Sequence, residues 1–328
     1  MKRRIIAVGL FLVALVVAFQ GHWNEYRTLA SLKKVDDHPL YVMRYYGDYG
    51  FEKPVQDALP QSSSETSPVW VCTCFASLNK DGDLIFGRNF DWHVHPALLL
   101  FTDPPDGYAS VSMVDISYLG YGGREPSWLE RGNLLDAPQI PFDGMNERGL
   151  VVGMMAVPHA EGGSDPRKPT VDSLLAIRLM LDYAANVDEA AALLQRHNVD
   201  FGGGPPLHYL VADSSGNSAV LELLDGEVRI IRNSAPWQVA TNFVIADVAP
   251  EEANSPCWRY NKAYETLEQA GGGVSSKEAM ALLEDVSQSG DYPTIWSVVH
   301  NGTTGEVRVV MGRKYGEVHT FNLEMKGK

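Results

Sequence analysis

Residues Cys72 to Trp92 read CTCFASLNKDGDLIFGRNFDW. An apolar, β-prone run from Val69 to Leu78 meets the polar turn Asn79-Lys80-Asp81-Gly82, and a second β-prone run follows from Leu84 to Asn89. Two such runs joined through Asp-Gly predict a hairpin. A hairpin returns Arg88 and Asp91, at the end of the second strand, to Cys72 at the start of the first. A thiol, a guanidinium and a carboxylate then share one end of a sheet. A fixed cation favours the thiolate, and the thiolate is the attacking form of cysteine, so the trio reads as an activated nucleophile.

The stretch resembles the N-terminal nucleophile (Ntn) cysteine hydrolases of linear amides. These are the choloylglycine hydrolases (bile salt hydrolases and penicillin V acylases), with acid ceramidase and N-acylethanolamine acid amidase as relatives. Their pattern is Cys-Thr, a Gly-containing turn, then Gly-Arg-Asn-x-Asp. It is met by Cys72-Thr73, Gly82 and Gly87-Arg88-Asn89-Phe90-Asp91. Phe142 to Pro158 (FDGMNERGLVVGMMAVP) is similar to the family segment Gly-Met-Asn-Glu-x-Gly-Leu, with Asp143-Gly144 and Asn146 read as a turn and Leu150 to Val157 as a buried strand. Val239-Ala240-Thr241-Asn242 matches a strand ending in Thr-Asn, and Arg259-Tyr260 an Arg-aromatic pair near a helix start.

The resemblance implies roles. Cys72 is the nucleophile, and its α-amine, once free, is the base. Arg88 and Arg259 stabilise the thiolate, while Asp91 holds and polarises the amine. Asn242 and the Ala156 backbone N–H receive the oxyanion, because a developing negative oxygen needs fixed donors. At Ala156 bile salt hydrolases carry Asn and penicillin V acylases Tyr. Alanine keeps the N–H and departs from both narrower activities. The free amine requires the Val71–Cys72 bond to break, by attack of the thiol on its own preceding carbonyl. The reaction implied is hydrolysis of a non-peptide N-acyl amide through a thioester, with no cofactor and no metal.

The rest of the chain is read around that centre. Its 328 residues, 45% of them hydrophobic, suit one large domain or two small ones. A formal charge of −14 argues against a nucleic-acid partner, whose phosphates it would repel. Met1-Lys2-Arg3-Arg4 precedes a charge-free run from Ile5 to Phe19, short for a membrane span and long enough for a signal-peptide core. Residues 1–20 are therefore expected to direct export, to the periplasm or outside, or to remain as an N-terminal anchor, with 5–19 the route to membrane association. Residues 21–71 are expected to be a pro-segment, discarded or retained, ending in the loop Pro60 to Pro68. Residues 72–328 are the hydrolase domain. A homo-oligomer is also allowed.

Cys72, Cys74 and Cys257 leave two arrangements open, a Cys74–Cys257 disulfide or three reduced thiols. His93-Val94-His95 has the spacing of two metal ligands on one strand face, but no HExxH-type partner accompanies it, and the two rings are expected to rim the pocket instead. Trp92, His93, His95 and Trp258 are the pocket candidates. Residues 97–141 read as one strand, Ser110 to Ser117, among long loops whose aromatics (Phe101, Tyr108, Tyr118, Tyr121, Trp128) would receive an apolar acyl chain. Helices are expected over Thr170 to Ala185, Val187 to His197 and Ser255 to Ala270, and a capping box pairs Ser275 with Glu278. The order of strands, helices, strands, helices and strands fits an α+β fold, a four-layer αββα sandwich of two antiparallel sheets. Three other functions fit parts of this pattern: an acyltransferase on the same scaffold, a metal-dependent hydrolase, and a non-catalytic exported binding protein.

Overall fold

A computed structural model describes residues 22–50, 71–122, 124–248 and 257–326. The charge-free run 5–19, the loop 60–68 and Ser255-Pro256 lie outside these residues. Among the described residues no helix is long and apolar enough to cross a membrane.

Helix α1 (22–30) leads into β1 (Lys33–Asp36) and β2 (Leu40–Arg44). The hairpin follows as β3 (Val71–Leu78) and β4 (Leu84–Asp91), then β5 (Ala97–Thr102), β6 (Ser110–Asp115), β7 (Asp143–Asn146), β8 (Val151–Ala156) and β9 (Thr170–Asp172). Helices α2 (Ser173–Tyr183) and α3 (Val187–Gln195) precede β10 (Asn198–Asp200), β11 (Leu207–Ala212), β12 (Ser218–Leu224), β13 (Glu227–Arg232) and β14 (Trp237–Ala240). Helices α4 (Trp258–Gln269) and α5 (Ser276–Asp285) precede β15 (Thr294–Asn301), β16 (Glu306–Met311) and β17 (His319–Asn322).

Two large sheets result. One has nine strands in the order β1-β2-β5-β6-β7-β8-β11-β12-β13, the other six in the order β14-β3-β4-β15-β16-β17. They face each other, with α2 and α3 outside the first and α4 and α5 outside the second. This is the expected four-layer sandwich, with one departure. The β2–β5 pair is parallel, so the nine-stranded sheet is mixed.

The hairpin strands are buried on both faces, which is why they read as nearly unbroken apolar runs. Successive side chains alternate between faces. Leu84, Phe86 and Phe90 enter the core between the sheets, while Phe75 and Ile85 enter the second core beneath α4 and α5. Gly82, at φ +85°, closes the turn. Gly87 is opposite Phe75 in register, and a Cβ there would stand 2.3 Å from the Phe75 ring. The glycine of the Gly-Arg-Asn motif is therefore a packing requirement.

Three expectations are corrected. Residues 97–102 form a strand, so Leu98, Leu99, Leu100 and Phe101 are sheet core and the segment holds two strands. Asp143 to Asn146 is a strand, and the turn falls at Glu147-Arg148-Gly149, where Gly149 takes φ +85°. Thr170 to Asp172 is extended, with α2 starting after Asp172, whose carboxylate accepts from the Leu174 and Leu175 N–H groups. Of the two cysteine arrangements left open, the structure has the reduced one, with Cys72, Cys74 and Cys257 all free thiols. The capping box of Ser275 and Glu278 is present at the start of α5.

Candidate active site

The β3–β4 register sets Cys72 opposite Phe90, Cys74 opposite Arg88 and Val71 opposite Asp91. Alternation then divides the motif. Cys72, Cys74 and Arg88 face the nine-stranded sheet, whereas Thr73, Asn89 and Asp91 face the helix layer. On the inner face Arg88 Nη2 donates to Cys72 Sγ at 3.7 Å. The Arg88 guanidinium is fully buried and held from behind. It donates to the Phe142 carbonyl and to Asp143 Oδ2, the latter at 3.2 Å. Asp143 also accepts from Trp296 Nε1 at 3.3 Å and lies 3.2 Å from His300 Nε2.

On the other face Arg259, from the first turn of α4, donates to the Cys72 carbonyl, to Thr73 Oγ1 at 2.8 Å and to Asn242 Oδ1 at 2.9 Å. Its Nη1 stands 3.9 Å from Asp91 Oδ2. Asn242 follows the end of β14, which pairs with β3. Its Oδ1 accepts from the Cys72 N–H at 2.7 Å, and its Nδ2 donates to the Ala156 carbonyl at 2.8 Å. Ala156 ends β8 opposite Leu207. The next N–H, of Val157, donates to Pro206. Because N–H groups alternate along a strand, the Ala156 N–H faces the other side, beyond the point where β7 begins at Asp143. Cys72, Arg88, Asp91, Asn242, Arg259 and the Ala156 backbone thus form one connected group.

Within it the direct contact on the thiol is Arg88, and Arg259 donates to the Cys72 carbonyl while its charge also favours the thiolate. The Cys72 nitrogen is held by Asn242, while Asp91 accepts from Thr294 Oγ1 at 2.5 Å and Gln288 Nε2 at 3.0 Å. The reason is the strand itself, which sends Cys72 and Asp91 to opposite faces. Burial raises Asp91 to about 6, against the pull of Thr294, Arg259 and Gln288. Burial also raises the Cys72 thiol above its ordinary value, and Arg88 only partly offsets this. With the chain uncut, the expected depression of the thiol pKa is absent.

The pocket candidates separate. Trp92 stacks on Tyr292 at 5.3 Å, and His93 lies against both rings. His95 Nδ1 is 3.2 Å from Asp115 Oδ2, so its ring serves β6. Trp258 is 55% exposed at the start of α4. Phe101 and Tyr121 are buried in the core between the sheets. No group of three or more His, Cys, Asp or Glu residues placed to hold a metal ion occurs among the described residues. Asp143, Thr294, Gln288 and His300 were not singled out from sequence. Asp143 was hidden by its glycine neighbour, which reads as a turn. Thr73 adjoins Cys72 and could have been found by position.

A family model described as linear amide C–N hydrolases, choloylglycine hydrolase family, matches residues 72–244. The chain is 32% identical over 189 residues to a penicillin V acylase of Pectobacterium atrosepticum, a match covering 49% of this chain and 50% of that protein. The chain thus spans about half the length of the curated relatives it matches. Among solved structures it is similar to a mutant conjugated bile acid hydrolase from Clostridium perfringens, with TM-score 0.58 and 16% identity over 77% of this chain and 92% of that one. It is also similar to penicillin V acylase from Agrobacterium tumefaciens, with TM-score 0.55 and 18% identity over 77% and 86%. At these identities the structural likenesses carry the fold alone.

Proposed function

This chain belongs to the linear amide C–N hydrolases of the choloylglycine hydrolase family, and from that premise we propose that it hydrolyses a non-peptide N-acyl amide with Cys72 as an N-terminal nucleophile. The observation that carries the reading is the placement of Cys72, its sulfur on Arg88 and its nitrogen on Asn242. The family likeness also begins at residue 72.

In the first step the Cys72 thiol attacks the Val71 carbonyl carbon. The peptide C–N bond breaks, its nitrogen gains the proton, and a thioester joins Val71 to Sγ. Water releases the Val71 carboxylate and leaves a free thiol beside a free amine. In turnover the amine takes the thiol proton as sulfur attacks the substrate carbonyl. Asn242 Nδ2, together with the Ala156 N–H, meets the oxyanion. Collapse expels the substrate amine, protonated by the Cys72 ammonium. Water activated by the same amine then frees the acid.

The segment before Cys72 stays bound after the cut. β2 is buried and paired with β5, and the Tyr49 hydroxyl donates to Asp182 Oδ2 at 2.6 Å within the domain. Residues 1–20 direct export. The substrate offers an apolar acyl chain, for which each buried methylene contributes about 0.8 kcal/mol.

Intact-mass measurement tests the reading. The expected species are a chain beginning at Cys72 and its complementary fragment, both absent from Cys72→Ala. An uncut wild-type chain that turns over amides would overturn it. A panel of amides sharing one fluorogenic amine, with acyl chains of rising length, should give rising kcat/KM. Flat values would remove the apolar acyl assignment.

A further inference from the structure

Beneath Asn242 lies a buried pair that the mechanism above does not use. His208 on β11 and Glu222 on β12 are cross-strand neighbours, next to the Tyr209–Leu221 pair, and each is 1% exposed. His208 Nδ1 is 3.3 Å from Glu222 Oε1, and His208 Nε2 is 2.8 Å from the Thr241 carbonyl. Glu222 also accepts from the Ile245 N–H at 2.6 Å and the Ala246 N–H at 3.1 Å. A carbonyl oxygen only accepts, so Nε2 carries a proton. Nδ1 faces the Glu222 carboxyl, which also takes the two backbone N–H groups. Burial alone would raise Glu222, but His208 and the two backbone donors outweigh it and hold the carboxyl below its ordinary value.

The placement of the bonds is what matters. One partner grips the backbone immediately before Asn242, and the other grips it three and four residues after. Both stand on adjacent strands of the sheet, beside Leu207, which is opposite Ala156. We propose that His208 and Glu222 are positioning residues, a hydrogen-bonded clamp on segment 241–246 that aims the Asn242 amide at the oxyanion. A buried polar pair gains little net stability over an apolar one, because desolvation offsets attraction, so its usable product here is geometry. The proposal rests on the reading of Cys72 and Asn242 given above.

The test is a cycle of His208→Leu, His208→Gln and the isosteric Glu222→Gln, each made in the wild type and in Asn242→Ala. kcat and KM are measured on the best amide of the acyl panel. The rate of Val71–Cys72 cleavage supplies the same comparison without substrate. Circular dichroism and alkylation of Cys72 identify folded variants. A misplacement near 1 Å costs about 100-fold. His208→Leu and Glu222→Gln should therefore lower kcat about 10- to 100-fold with KM within about twofold, and His208→Gln, which keeps a donor for Thr241, should recover part. In Asn242→Ala the same changes should cost less than about threefold, since the clamp then has nothing to aim. Equal losses in both backgrounds, or losses confined to KM, overturn the clamp. So does a wild-type kcat in folded Glu222→Gln while Asn242→Ala is slow. If Asn242→Ala is itself as fast as wild type, the oxyanion assignment falls and the clamp falls with it.

Discussion

Asp91 is enclosed by Thr294, Gln288 and Arg259, and its carboxyl titrates at about 6. Above that pH it is charged and draws on Arg259, which holds the Cys72 carbonyl and Asn242 in place. Below it the charge is lost and with it that attraction. Self-cleavage should therefore slow as pH falls through about 6, and Asp91→Asn should be slow with no acid limb; a limb retained in that variant would assign it elsewhere. Cys74 makes the opposite case. It faces the same layer as Cys72 and is fully buried, and burial holds its thiol well above the ordinary range, uncharged and unreactive. Cys74→Ala should spare both cleavage and turnover, whereas Cys72→Ala abolishes both. Mass spectrometry and a turnover assay separate the two, and an uncut, dead Cys74→Ala would reverse the assignment.

At the scale of elements, the segment 22–50 is the part to probe. The Tyr49 hydroxyl donates to Asp182, itself 2.6 Å from Arg178 on the same helix, and Gln139 Nε2 donates to the Tyr49 carbonyl at 3.2 Å. Tyr49→Phe removes a hydrogen bond to a charged group, worth about 1.5–3 kcal/mol. After cleavage the variant segment should dissociate at least about tenfold faster, as native mass spectrometry would record. Other elements illustrate what sequence could and could not disclose. The β3–β4 hairpin was legible because turn chemistry and strand propensity agree within twenty residues. The start of α5 was legible from its capping box, whereas α4, read from Ser255, begins at Trp258 with no side-chain cap. Strand β7 was not, because Asp143-Gly144 has turn propensity and only the sheet around it overrides that. Strand β5 was not, because its apolar run is equally at home in a loop wall. The site was legible where its residues fall in motifs: Arg88 and Asp91 in the hairpin of Cys72, and Ala156, Asn242 and Arg259 in segments resembling those of a known family. Gln288 reaches it from a loop that carries no motif, and Asp143 stands in a motif but reads as a turn residue.

For the whole molecule, the charge of −14 acts at a distance even though it fixes no single contact. An anionic amide approaches against repulsion that salt screens, with a Debye length of about 30 Å at 0.01 M and about 8 Å at 0.15 M. kcat/KM for an N-acyl glycine should therefore rise severalfold between those salts, while that for an uncharged amide stays level; equal responses would show that the site does not feel the net charge. The parallel pairing of β2 with β5 has a further consequence. While the backbone is continuous, a denatured molecule recovers by a one-body search, its missing strand always within reach of its slot. Once the Val71–Cys72 bond is gone, the same strand must be met by diffusion, and recovery becomes second order. A sample denatured before cutting would regain activity at a rate indifferent to dilution, and one denatured afterwards would not. The proposed cleavage would thus leave a memory in the fold: a molecule cut once could no longer rebuild itself alone.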